Sequence, residues 1–260
     1  MKPEYSNWVP DKLKKEMLLA TVAFAILAVL CGLFVPGTLK VILVVILIAA
    51  SIVCGWFTWW CYTAYNAFSY DGDIQLSRKI VEGTADFVHV PDDGACLDVG
   101  CGSGALTIAV AKKNPRAYIV GCDRWGKEYS NFSRKLCEKN AAAEGVANVR
   151  FQHGDATKLP FPDESFDAVT SNYVYHNITE HNKQKLLLET LRVLKKGGTF
   201  VIHDLMSKSK YGDMDAFVRK LKDMGYEEVR LIDTTDSRFM TKKQASKYML
   251  QGSTILCGRK

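Results

Sequence analysis

The chain has 260 residues, 48% apolar and 24% charged, and these averages conceal two unlike parts. Its net charge of +6 suits a membrane surface, but no basic stripe interleaved with aromatics argues for nucleic acid. The eight cysteines show no C-x-x-C pair and no metal-ligand spacing, so the sequence carries no disulfide framework and points to reduced thiols in a cytosolic compartment.

Residues 17–35 (MLLATVAFAILAVLCGLFV) and 41–60 (VILVVILIAASIVCGWFTWW) contain no charge. About 20 apolar residues, at 1.5 Å each, cross roughly 30 Å of hydrocarbon. Two transmembrane helices are therefore predicted, joined by the helix-breaking Pro36-Gly37-Thr38. A secretory signal fits poorly, because mostly polar residues precede the first run and a second run follows at once. Lysines 2, 12, 14 and 15 precede the first run, whereas the turn offers only Lys40. The positive-inside bias then places both termini in the cytosol. Trp56, Trp59, Trp60, Tyr62 and Tyr65 crowd the end of the second run, where amphipathic rings belong at headgroup level. Residues 1–65 read as a membrane anchor and residues 66–260 as one globular domain, long enough for a single sizeable core.

In that domain strand and helix alternate. Residues 74–88 have apolar positions spaced for a helix, followed by a buried strand ACLDVG (95–100) and a helix ALTIAVAKK (105–113). AYIVGCD (117–123) is a strand, with a helix through about residue 144. VRFQHGD (149–155), FDAVTSN (166–172) and GTFVIHDL (198–205) supply three more strands, the last preceded by the helix KQKLLLETLRVL (183–194). A helix over 213–224 leads to strands at 226–233 and 253–259, with a short helical piece between them. This order implies right-handed β-α-β units, and hence an α/β, Rossmann-like, mostly parallel seven-stranded sheet whose last strand is antiparallel.

Ligands of open α/β sheets bind beyond the C-terminal strand ends. The first strand ends in L-D-V-G-C-G-S-G (97–104), where glycines let a ligand approach the backbone at a helix N-terminus. Gly100-x-Gly102-x-x-Ala105 also fits the looser dinucleotide fingerprint. The second strand ends in Asp123, placed to accept hydrogen bonds from ribose hydroxyls, and the third in Gly154-Asp155-Ala156, where a carboxylate meets an adenine amine or caps a turn.

L-D-V-G-C-G-S-G, G-C-D, H-G-D-A-T-K-L-P-F, F-D-A-V-T-S-N and L-R-V-L-K-K-G-G-T-F-V-I occur in that order, and together they resemble the class I S-adenosylmethionine-dependent methyltransferases over about residues 70–260. The resemblance implies that Asp98, Gly100, Cys101, Gly102 and Gly104 hold the methionine part of S-adenosylmethionine. It assigns the ribose to Asp123 with Arg124, the adenine end to Asp155 with Ala156, and the edge of the methyl group to Asn172. Tyr70 or Asp71 would contribute to a lid. The stretch S-N-Y-V-Y-H-N-I-T-E is similar to the quinone-biosynthesis C-methyltransferases and related lipid enzymes, although these commonly carry Arg-Asn where this chain has His176-Asn177.

Methyl transfer requires in-line alignment and, for a protic nucleophile, removal of a proton. His176, just after the fourth strand, is the candidate general base, with a capping histidine as the alternative. His203 reads as a core histidine, His153 as part of the adenine-side loop or the surface, and Tyr173 and Tyr175 as pocket lining or packing. The expected partners are a small, hydrophobic methyl acceptor and the lipid bilayer, with no nucleic acid. A nicotinamide-dependent oxidoreductase, a protein or nucleic-acid methyltransferase and a non-catalytic cofactor-binding protein are the rival readings. The S-N-Y-V strand end lacks the N-P-P-Y type of motif associated with methylating base amines.

Overall fold

The computed structural model describes residues 2–126 and 132–260. The chain divides into two compact units, one running from Asn7 to Arg78 and the other from Lys79 to Lys260 together with the residues before Asn7.

The first unit is a helical hairpin of α1 (Asp11–Phe34) and α2 (Gly37–Phe68), broken by Val35 and Pro36 in extended conformation. Both helices outrun the uncharged stretches. Lack of charge marks only a hydrocarbon-compatible segment, whereas the helical ladder continues through the aromatic and polar residues up to Phe68. The helices pack through small and hydroxylated side chains. Thr21 and Thr58 hydroxyls meet at 3.2 Å, and the Ser51 hydroxyl donates to the Thr21 carbonyl at 3.0 Å. Such contacts satisfy polar groups inside an apolar pair. Lys14 is buried near the cytosol-predicted end, 2.8 Å from Asp11 and 3.1 Å from the centre of the Tyr65 ring. Leu19, Leu33 and Phe34 are about 70% exposed or more, and both helices are long and apolar enough to cross a membrane.

Helix α3 (Leu76–Ala85) leads into the second unit. It contains β1 (Ala95–Val99), α4 (Ala105–Lys113), β2 (Tyr118–Asp123), α5 (Arg134–Ala143), β3 (Val149–His153) and β4 (Phe166–Asn172). There follow α6 (Lys183–Arg192), β5 (Leu194–Leu205), α7 (Lys208–Tyr211), α8 (Met214–Asp223), β6 (Glu227–Asp233), α9 (Lys242–Lys247) and β7 (Ser253–Arg259). The seven strands are ordered β3-β2-β1-β4-β5-β7-β6, with β7 antiparallel to both neighbours and the remaining pairs parallel. The predicted mostly parallel sheet with an antiparallel final strand is therefore the observed one. Leu97, Val99, Val169, Leu187, Leu191, Phe200 and Ile202 form the main core between sheet and helices.

Three differences from the predicted elements have local causes. Strand β5 begins at Leu194, just before K-K-G-G (195–198), because Gly197 at φ +78° absorbs a register shift opposite Phe166 and Ala168. Helix α7 is only four residues long, too short to carry an apolar period. The helix expected between Asp123 and residue 144 is seen as α5, which starts on the Ser133 side-chain cap; residues 127–131 of that expectation lie outside the described residues. The site follows from strand order. Because β2 lies on one side of β1 and β4 on the other, the C-terminal ends of β1, β2 and β4 surround a topological switch point.

Candidate functional site

Beyond β1 the backbone turns through Gly100 at φ +75°, Gly102 at φ +54° and Gly104 at φ +81°, a left-handed run open only to glycine without strain. A Cβ on Gly100 would stand 2.4 Å from Cγ2 of Val174, so the first glycine also lets this loop touch the segment after β4. The Gly100 and Cys101 N–H groups donate to the Cys122 carbonyl at 2.7 and 3.2 Å, which ties the loop to β2. The Cys101 thiol is buried with Ile108, Cys137, Ala141 and Phe151, and burial raises its pKa well above normal.

Three carboxyl groups occupy the strand ends, each in a different setting. Asp98 is 1% exposed and its Oδ2 accepts the Thr107 hydroxyl at 2.6 Å. Burial lifts its pKa to about 7, opposed by the Thr107 bond and reinforced by the nearby charge of Asp123. Asp123 is half-buried. One oxygen accepts the Gly102 N–H at 2.9 Å and the other the Trp125 N–H at 2.6 Å. The Trp125 indole closes the ring by donating to the Gly102 carbonyl at 3.0 Å. Asp155 accepts the Thr157 N–H at 2.8 Å. Burial pulls its pKa upward, but that bond and the charge of Arg124 hold it below the ordinary value. Arg124 is exposed and Ala156 half-buried.

After β4 the chain turns on Tyr173, a non-glycine residue at φ +54°, a conformation that costs roughly 1–2 kcal/mol. Its N–H to the His203 carbonyl at 2.8 Å and its hydroxyl against Ser253 at 2.5 Å hold it there. The turn carries a 3₁₀ segment, Tyr175–Asn177, over the end of β5. His176 Nδ1 lies 2.5 Å from Oδ1 of Asp204, a fully buried residue of β5. The backbone N–H groups of Tyr175 and His176 donate to the other oxygen at 2.8 and 3.3 Å, and the Leu205 N–H donates to Oδ1 at 2.6 Å. Burial pushes the Asp204 pKa upward; the His176 imidazole, followed by the Leu205 N–H, outweighs it and holds the carboxyl below its ordinary value.

The other histidines separate cleanly. His203 is fully buried, with Nδ1 at 2.8 Å from Asn172 Oδ1 and Nε2 at 3.0 Å from the Thr234 hydroxyl. Burial depresses its pKa to about 3, so it is a neutral core residue. Asn172 is thus turned toward His203. His153 is exposed at the end of β3, and Tyr175 is fully buried with its hydroxyl on Thr190 at 2.6 Å, a packing role. Tyr70 and Asp71 lie in the hairpin unit just beyond α2. The sequence reading passed over Asp204, Thr107 and Trp125. Asp204 alone offered a signal, as the acid at the end of a fifth strand.

Residues 97–202 match the family described as Methyltransferase domain, a span that opens on Leu97 and contains the glycine turn, Asp123, Asp155, Asn172 and His176. The domain belongs to the class I S-adenosylmethionine-dependent methyltransferases. This methyltransferase domain is 36% identical over 143 residues to the methyltransferase YcgJ of Bacillus subtilis, covering 55% of this chain and 50% of that protein. It is 36% identical over 126 residues to the demethylmenaquinone methyltransferase of Geobacillus stearothermophilus, covering 48% of this chain and 51% of that one. The chain spans about half the length of these curated relatives. Among solved structures, the cyclase SpnF superimposes with a TM-score of 0.53 at 21% identity, over 72% of this chain and 82% of that one. Phosphoethanolamine N-methyltransferase 2 of Haemonchus contortus gives 0.51 at 18%, over 73% and 53%. These two likenesses concern the fold of the methyltransferase domain, since one fold hosts many chemistries.

Proposed function

We propose that this protein is a membrane-anchored methyltransferase that uses S-adenosylmethionine to methylate a small, lipophilic acceptor. The observation that carries the reading is the meeting of a left-handed glycine turn, the carboxyl groups of Asp98 and Asp123, and the segment bearing His176. The residues fit the cofactor. Asp98 is a buried carboxyl with one side-chain donor among the described residues, suited to a ligand ammonium group. The N–H groups behind the glycine turn open helix α4, and Asp123 retains lone pairs for ribose hydroxyls. Asp155 and Ala156 would border the adenine, with exposed Arg124 beside them.

When bound, S-adenosylmethionine would supply an electrophilic methyl group on a sulfonium that serves as its own leaving group, held by the glycine turn, Asp98 and Asp123. The chain's own tasks are alignment and proton removal. Gly100 and Val174 bring the two loops together, and His176 takes the acceptor's proton. Two further points support a lipophilic acceptor. The hairpin has the length and composition of a membrane anchor, and one relative is named a demethylmenaquinone methyltransferase. Confinement to a bilayer raises the local concentration of such an acceptor. The lysines before α1 favour a cytosolic domain and termini.

The test is calorimetric titration of the full chain in detergent with S-adenosylmethionine, S-adenosylhomocysteine and NADH, with Asp123→Ala as control. Micromolar binding of the first two, weakened at least tenfold in the variant, is expected. Binding of NADH alone, or of none, would overturn the proposal.

A further inference from the structure

Three backbone N–H groups and one imidazole nitrogen converge on the two oxygens of Asp204. A carboxyl surrounded by that many donors is ionised, and an ionised carboxylate only accepts. Nδ1 of His176 must therefore carry a hydrogen, which leaves Nε2 of the neutral ring with a bare lone pair. Nε2 has no hydrogen-bond partner among the described residues, and the side chain is 15% exposed. His203, only one position before Asp204, offers neither feature, because both its nitrogens are engaged and the residue is fully buried. The Tyr173 ring stands edge-on to His176, with centroids 5.9 Å apart, and adds an apolar wall.

We propose that Asp204 is a positioning residue that fixes the tautomer of His176, so that Nε2 serves as general base for an acceptor carrying an aromatic hydroxyl. The inference rests on the reading of His176 as the base of the methyltransferase. The hydroxyl follows from the chemistry. A neutral amine already has a free lone pair, whereas a ring hydroxyl gains nucleophilicity, at oxygen or at the adjacent ring carbon, by giving up its proton. That proton passes to Nε2, its electron pair stays with the oxygen, and the resulting imidazolium is stabilised by Asp204. In the carbon case the displaced ring hydrogen then leaves as a proton to solvent, restoring the aromatic ring.

The tautomer is open to direct measurement. In nitrogen-15 correlation spectra of the full chain in detergent at pH 8.5, His176 should show a protonated Nδ1 and a bare Nε2. In Asp204→Asn the amide oxygen is drawn to the position where two N–H groups donate, those of Tyr175 and His176, over the position that receives only the Leu205 N–H, so the new amide nitrogen faces Nδ1 and the tautomer should invert. A wild-type spectrum with bare Nδ1, or an unchanged tautomer in a variant that still binds S-adenosylhomocysteine, overturns the proposal. If the variant fails to fold, the wild-type spectrum decides alone. For the acceptor, methyl-labelled S-adenosylmethionine is offered with a short-prenyl 1,4-naphthoquinol, with catechol, and with their fully O-methylated forms. Transfer to at least one hydroxylated probe and to no O-methylated one is expected, with kcat down about 10²–10⁴-fold in Asp204→Asn and KM little changed. A protein that binds S-adenosylhomocysteine yet methylates neither hydroxylated probe overturns the hydroxyl assignment. Failure to bind S-adenosylhomocysteine at all would instead overturn the methyltransferase reading beneath it.

Discussion

Replacing Asp98 by Asn should stabilise the ligand-free protein at alkaline pH while removing cofactor binding. The folded protein holds this carboxyl at about 7 instead of 3.8, chiefly by burial. A group with a raised folded pKa favours folding fully below its unfolded value and loses that contribution as pH rises through the folded value. Between 3.8 and 7 the folded state binds the extra proton, and above 7 both states are ionised, with the charge buried in only one. A shift of roughly 3 units at 1.36 kcal/mol each amounts to about 4 kcal/mol above pH 7, of which roughly a third is already lost at pH 5. The neutral Asn side chain escapes this loss and its oxygen can still accept the Thr107 hydroxyl. The stability difference, variant minus wild type, should therefore grow by about 2–3 kcal/mol from pH 5 to 8.5, or roughly 4–12 °C in Tm for a domain of this size. The difference is the right observable. Neutral His203, depressed to about 3, imposes the opposite pH dependence on both proteins, losing stability as pH falls from 6.5 toward 3. Thermal unfolding followed by circular dichroism at the two pH values measures it, with S-adenosylhomocysteine calorimetry alongside. A difference that stays constant or shrinks with pH would refute the buried-charge reasoning. Undiminished binding by the variant would refute the role of Asp98 in holding the cofactor.

Gly100→Ala places a methyl group 2.4 Å from Val174 at φ +75°, and should lower stability by about 2 kcal/mol or more and weaken S-adenosylhomocysteine at least tenfold, both read by thermal shift with and without ligand. Trp125 closes over the glycine turn through Asp123 and Gly102, so ligand binding should change its fluorescence, and Trp125→Phe should abolish the change while the four other tryptophans remain. His203→Gln should flatten the acid limb of the stability profile between pH 6.5 and 3, where desolvation of the wild-type imidazole amounts to up to about 5 kcal/mol. Removing residues 1–60 should end flotation with lipid vesicles, whereas co-flotation of the truncated chain would count against the anchor.

Much of the molecule was legible in its residues because the relevant signals are local. Uncharged runs of membrane length, apolar alternation in ACLDV and YIVGCD, and leucines at helical spacing in KQKLLLETLR depend only on neighbours in sequence. The glycine turn was equally visible, since left-handed backbone at Gly100, Gly102 and Gly104 demands glycine wherever it occurs. Tertiary structure alone decided what each titratable group became. His176 and His203 look alike in sequence, but the left-handed turn at Tyr173 lays one over the end of β5 while the β4–β5 ladder seals the other beside Asn172. Asp204 met His176 across 28 positions, and Asp98 took its character from Thr107 and complete burial. Charge state and tautomer depend on the solvent excluded and the donors gathered around a group, and both are set by packing between elements remote in sequence.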